Sequence, residues 1–259
     1  MRVLKLGGSV ITVKEKPMTA DVGNIRRLAE EIAAAGPGRL VVVHGGGSFG
    51  HPVAKRHGIA EGFTSRGQAL GFSKTHRAMV ALNSLVVDAL VDLAVPAVSV
   101  TPSSFVVTDG GRIGAADFDV VRRLVDGGIT PVLYGDAVLD RSRGFSILSG
   151  DQLAARLAVE LGASRLVFAV DVDGVYTSNP KLSPDAQLIE RLPLGRLREL
   201  VEVGGALTTD VTGGMLGKVS EAAAAVEAGV EVLIVNASRP GVILKALRGE
   251  PVTGTVLTR

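Results

Sequence analysis

The sequence predicts an α/β fold with a mostly parallel sheet, and three observations carry that prediction. Short β-branched runs alternate with longer segments of helical period along all 259 residues. Glycines, 33 in number, gather at the ends of the apolar runs, where backbone must pass close to a neighbour or a ligand. Aromatic residues make up only 3% of the chain, so Ala and Val have to fill the interior.

The first strand is RVLKL (2–6), with a lysine inside an apolar run. A helix over 20–35 follows, then the strand RLVVVH (39–44), a helix over 68–94 and the strand AVSV (97–100). A helix near 117–127 leads into the strand TPVLYG (130–135). The segment DAVLDRSRGFSILSG (136–150) reads as a hairpin that turns at Arg141-Ser142-Arg143-Gly144. The alternation then resumes with a helix over 151–161, strand 165–171, a helix over 193–203 and an Ala-rich helix over 214–228. Strand 231–237, a helix over 240–247 and a last strand GTVLT complete the pattern.

No linker, low-complexity tract or repeat divides the chain. Glycine turns at 7–8 and 45–50 precede residue 150, and those at 171–174 and 213–217 follow it. One continuous unit with two halves, 1–150 and 151–259, each serving its own ligand, is therefore expected. The formal charge is +2, without blocks of like charge or basic-aromatic interleaving, so a nucleic-acid partner is not expected. Cysteine is absent, which rules out disulfides, thiolate nucleophiles and Cys-ligated metals. The N-terminal MRVLKLGGSVIT lacks the apolar core of a signal peptide, and runs such as LVVDALVDLAVPAV are broken by Asp88 and Asp92. A soluble, cytoplasmic protein with no membrane partner is expected.

Four glycine-bearing motifs point to chemistry. In LKLGGSVITVK, the backbone N–H groups of Gly7, Gly8 and Ser9 lie at a strand's C-terminal end, where they would cradle phosphate. Lys5 would point from the strand into the crevice and Lys14 would return to it. The same residues would make a plain tight turn, but a lysine alternating within an apolar strand favours a ligand. In VVVHGGGSFGHP, Gly45 to Gly50 satisfy the dinucleotide spacing G-x-G-x-x-G. That fold needs a following strand that ends in an acid, and HPVAKRHGIAEGFTSRGQALGF carries none. Gly46 and Gly47 thus read as an anion cradle, with His51 at its lip and His44 structural.

In ILSGDQLAARLA, Gly150 and Asp151 open a helix that Ser149 or Asp151 can cap. Asp151 could also face the crevice and orient lysines or a metal-bound phosphate. The run DVDGVYTSNP fails as a calcium loop because its twelfth position is Leu182, so a turn with Tyr176 and Pro180 shaping a flat pocket for a nucleoside suits it better. TDVTGGMLGKVSEA places Asp210, Thr212, Gly213, Gly214 and Lys218 at a helix mouth without P-loop spacing. Glycine cradles, lysines and no Cys-His or His-Glu metal cluster fit phosphoryl transfer between two anionic ligands.

In chain order, LKLGGSVIT.K, VVHGGGSFGHP, PVLYGD, SGDQLA, DVDGVYTSNPK..PDA and TDVTGGM.GK resemble the amino acid kinase family over nearly the whole chain. The histidine of GSFGH resembles the branch of that family whose acceptor is isopentenyl phosphate. The resemblance implies an open αβα sandwich, usually a homodimer, that uses ATP with Mg²⁺ and makes isopentenyl diphosphate. It further implies that Lys5 and Lys14 bind the transferring group, that Asp151 holds the lysines, and that His51 binds the acceptor phosphate with the N–H groups of Gly46, Gly47 and Gly150. Gly7, Gly8, Ser9 and Gly47 would line the path of the ATP phosphates, while Asp171, Tyr176, Gly213 and Lys218 would hold the nucleotide. No residue is expected to ligate a metal directly.

An apolar slot for the acceptor's tail is expected between the helix that begins ALGFSKTHRAM and the hairpin, with Phe72, Met79 and Ile147 as candidates. Two alternatives stay open. One is a kinase for another small phosphate or phosphonate, of the fosfomycin-kinase type that shares GGG.FGH. The other is a nucleotide-binding regulatory protein without turnover, against which stand Lys5, Lys14, His51, Asp151 and Lys218 and the expected lack of a sensor segment after Arg259.

Overall fold

A computed structural model describes residues 1–178, 180, 182–196 and 212–259. In chain order the main elements are β1 (Arg2–Leu6), α1 (Gly8–Ile11), α2 (Val22–Ala34), β2 (Leu40–His44), α3 (Gly47–Arg56), α4 (Gly67–Val91) and β3 (Ala97–Ser99). Then come β4 (Val106–Asp109), β5 (Arg112–Ala116), α5 (Asp119–Asp126), β6 (Thr130–Tyr134), β7 (Asp136–Asp140), β8 (Gly144–Leu148) and α6 (Gly150–Glu160). The remainder is β9 (Arg165–Val170), β10 (Arg191–Pro193), α7 (Thr212–Glu227), β11 (Glu231–Asn236), α8 (Val242–Arg248) and β12 (Gly254–Thr258).

The main sheet has eight strands in the order β10-β12-β11-β9-β1-β2-β6-β3. Its pairings are parallel except for β12, which runs antiparallel to β11. β1 therefore sits near the centre, flanked by β9 and β2, and strand residues alternate between two apolar cores. Val3, Val41 and Val43 face a core closed by α5, α6 and α7, while Leu4, Leu6, Leu40 and Val42 face one closed by α1, α2, α4 and α8. Helices on both faces of a mostly parallel sheet make the expected αβα sandwich. Burial on both faces is why β1, β2, β6 and β9 read as nearly unbroken apolar runs.

The expected strands and helices recur with end shifts of a few residues, including the hairpin β7–β8 and its turn at 141–143. Besides the short α1 and β10, a helix and a hairpin were not anticipated. α3 grows directly out of the glycine run although it contains Pro52, because Phe49 and Val53, one turn apart, bury against the α4 side of the sheet. The hairpin β4–β5 pairs with β7 to form a separate four-stranded sheet, β5-β4-β7-β8. Of the helix expected over 193–203, residue 193 ends strand β10, residues 194–196 are helical, and the part from 197 on lies outside the described residues.

Candidate active site

Lys5 is one of the few charged residues in the core, 3% exposed in the middle of β1. It alternates with Leu4 and Leu6 and so points to the α6 and α7 side. There Asp151, in the first turn of α6, meets it with 2.7 Å between Nζ and Oδ1. The other carboxylate oxygen of Asp151 lies 2.8 Å from Lys218 Nζ, which reaches in from α7. One carboxylate therefore holds two ammonium groups at the carboxyl edge of the sheet. Burial alone would raise the Asp151 pKa, but Lys5 and Lys218 outweigh it and hold the group below the usual carboxylate range. Burial lowers the Lys5 pKa against the opposing pull of Asp151. Ser149 caps α6 by accepting the Asp151 N–H at 3.2 Å, which leaves the Asp151 side chain to the lysines.

The two glycine loops press back to back beside this cluster. A Cβ on Gly8 would lie 2.2 Å from the Gly47 nitrogen, and one on Gly47 would lie 2.6 Å from the Gly8 carbonyl oxygen. Gly47 also has φ +47°, a conformation that L side chains rarely adopt. Backbone accounting then shows which donors are spent. Gly7 N–H donates to Ala169 O at 2.8 Å and Gly45 N–H to Leu6 O at 2.9 Å. Among the described residues, no acceptor takes the N–H of Gly8, Ser9, Gly46, Gly47 or Gly150. The expectation of a free N–H at Gly7 is thus corrected, because the sheet consumes that donor. Gly8 and Ser9 open α1, Gly46 and Gly47 open α3, and Gly150 opens α6, so all five donors stand at helix starts.

His51 lies exposed in the first half of α3. Desolvation, followed by the ammonium groups of Lys5 and Lys218, holds its imidazole below the usual histidine range, so it shares the electrostatic field of the cluster. Lys14 is exposed in the turn between Thr12 and Ala20, and no ion pair holds it among the described residues. His44 is fully buried, and its pKa is pushed down to about 4 chiefly by that burial. Its Nδ1 lies 3.0 Å from Gly45 O and its Nε2 3.1 Å from the Asn83 amide nitrogen, the geometry of a neutral ring protonated at Nδ1. It is structural, as expected.

Beside the hairpin β7–β8, Phe72 and Ile147 pack in a small cluster with Ile59, Ala137 and Phe145. Met79 does not join them. Its sulfur lies under the second glycine loop, where a Cβ on Gly50 would come within 2.7 Å of it, apart from the Phe72–Ile147 cluster. Phe145, which reading the sequence overlooked, lies between Phe63 and Phe72, edge-on to the first with 5.5 Å between ring centroids and tilted to the second at 5.7 Å.

On the opposite side, the Tyr176 hydroxyl donates to Asp173 at 3.3 Å. Asp173 also accepts from the Asn236 amide at 2.9 Å and pairs with Arg239. Asp173, weighed in the sequence only as a calcium ligand, thus ties the 171–176 turn to the end of β11. Asp171 lies in the same turn, directly after β9. Gly213 lies in the first turn of α7, whereas Asp210 falls outside the described residues. A recess of about 610 Å³ bounded by Arg191, Arg239, Val242, Lys245 and Val252 is separate, because none of Lys5, His51, Asp151 and Lys218 lines it.

The profile of the amino acid kinase family matches residues 1–236. This chain belongs to the amino acid kinase family. It is 46% identical to the isopentenyl phosphate kinase of Methanothermobacter thermautotrophicus, covering 100% of this chain and 99% of the relative. It is 35% identical to that of Methanocaldococcus jannaschii, covering 98% and 97%. A solved isopentenyl phosphate kinase superposes with a TM-score of 0.88 at 42% identity over the whole of both chains. The product complex of the Thermoplasma acidophilum enzyme gives 0.81 at 31% identity over 99% of each chain. UMP kinase from Ureaplasma parvum, at 19% identity and a TM-score of 0.66, shares the fold.

Proposed function

We propose that the chain is an ATP-dependent isopentenyl phosphate kinase. The observation that carries this is the Lys5–Asp151–Lys218 chain of ion pairs set beside two glycine loops that keep the N–H groups of Gly8, Ser9, Gly46 and Gly47 unspent. Full-length similarity to enzymes of that name supports it and does not favour a phosphonate kinase or a protein without turnover.

In this reading, N–H groups of Gly46, Gly47 and Gly150 together with His51 hold the acceptor's phosphate. Gly8 and Ser9 face the ATP phosphates, and Lys5 and Lys218 neutralise charge that builds on the transferring group. Lys14, exposed on its turn, swings in over that group. An acceptor phosphate oxygen forms a bond to the γ-phosphorus as the bond to ADP breaks. That oxygen is already ionised, so no general base is required. The acceptor's isoprenoid body rests against Phe72, Ile147 and Phe145, residues 1–150 serve the acceptor, and residues 151–259 serve ATP through Asp171, Tyr176, Gly213 and Lys218. The described residues include no group of three or more His, Asp or Glu side chains placed to hold a cation. Asp151 is committed to two lysines, so Mg²⁺ would be held by the nucleotide phosphates, whose charge it would offset. A cytoplasmic homodimer completes the reading.

Incubation with Mg-ATP and isopentenyl phosphate, followed by ³¹P NMR, is expected to yield isopentenyl diphosphate and ADP. No diphosphate at ordinary enzyme concentrations overturns the proposal.

A further inference from the structure

Thr12 follows α1, and its side chain is buried although it carries a hydroxyl. That hydroxyl donates to the Gly8 carbonyl at 2.7 Å and accepts the Ser48 N–H at 3.0 Å. Gly8 belongs to the first glycine loop and Ser48 to the second, so one oxygen joins the two loops across their contact. A Cβ on Gly47 would fall 2.1 Å from the same oxygen, so a glycine at 47 is what leaves room for the hydroxyl between the loops. The second loop is anchored further by Ser48 Oγ to Thr19 O at 3.2 Å and by Met18 N–H to Ser48 O at 3.0 Å.

The bond also decides which donors the cradle offers. Ser48 N–H stands third in a row with those of Gly46 and Gly47 at the start of α3, and in an open helix start all three would be available to an anion. Thr12 takes the third. Two donors then remain on the second loop, and their distance from the Gly8 and Ser9 donors on the first is set by the Thr12 oxygen.

We infer that Thr12 is a positioning residue: its hydroxyl locks the two glycine loops in register, so that acceptor and donor phosphates meet at one fixed separation. This rests on the proposed reading of the loops as phosphate cradles. A phosphate held slightly out of line still binds but transfers slowly, so turnover is the sensitive quantity.

The test compares Thr12→Val, nearly isosteric and without the hydroxyl, with Thr12→Ser, which keeps it. Thr12→Val is expected to lower kcat roughly 10- to 100-fold with both KM values little changed. Thr12→Ser is expected to keep most of the turnover. Independently of activity, the Ser48 amide is expected to exchange slowly with solvent in the unaltered protein and roughly 10-fold faster in Thr12→Val. Unchanged kcat in Thr12→Val, equal damage from both substitutions, or fast Ser48 exchange in the unaltered protein each overturns the inference. If Thr12→Val does not fold, Thr12→Ser turnover and Ser48 exchange in the unaltered protein decide. Absence of turnover in the unaltered protein would instead refute the kinase reading and leave the exchange result standing.

Discussion

Asp151 holds Lys5 and Lys218 on one mostly buried carboxylate, an arrangement that works only while all three charges are present. Removing the negative charge leaves two ammonium groups facing each other with little water to screen them. Asp151→Asn is therefore expected to destabilise the protein by about 3–5 kcal/mol, the usual cost of breaking a buried pair from one side. It should also cut turnover by roughly two orders of magnitude through misplaced lysines. Urea unfolding and steady-state rates check both, and an unaltered urea midpoint would show that the pair is not a structural hinge of the site. Lys5 was legible in the sequence because a lysine inside an apolar strand needs a reason. Thr12 was not, because a threonine after a short helix has no pattern that separates a buried clip from an ordinary turn residue.

Elements fix these residues in place, and His44 shows how. It ends β2, stacks on Tyr134 of β6 with 5.6 Å between ring centroids, and takes a hydrogen bond from Asn83 of α4. Its folded pKa of about 4 lies below the ordinary 6.5, so the unfolded chain binds the proton first as pH falls. The stability it contributes is present above pH 6.5 and is lost between about 6.5 and 4, amounting to about 3 kcal/mol. Urea midpoints at pH 7 and 4.5 should differ by less in His44→Gln than in the unaltered protein, and equal differences would remove His44 from the linkage. The hairpin β4–β5 escaped the sequence for a related reason. Its turn is held from outside, by the Asp140 carboxylate accepting from Gly110, Gly111 and Thr108, and these bonds keep Asp140 below the carboxylate range despite its burial. Helix α3 was hidden by glycine and proline, whose local preference packing overrode.

At the scale of the molecule, one sheet spans both halves, yet the two proposed ligand sites draw on different ends of it. His51→Ala is expected to raise the acceptor KM roughly 10- to 100-fold, the worth of a charge-assisted hydrogen bond, with little change for ATP. Asp173→Ala, which frees the 171–176 turn from Asn236 and Arg239, is expected to raise the ATP KM and spare the acceptor. Steady-state titration of each substrate against both variants checks this, and effects that cross over would refute the division at residue 150. The alternation of helices with a mostly parallel sheet and the singling out of Lys5 followed from periodicity and from a charge placed in an apolar run, which are local and survive unfolding. The roles sought for His51, Asp151 and Lys218 came instead from glycine-bearing motifs and a family resemblance. Which glycine N–H groups remain free, that Met79 packs under the second glycine loop, and that Thr12 spans two loops came only with the fold. Each of these depends on contacts between segments tens of residues apart, and no local spacing encodes such a distance.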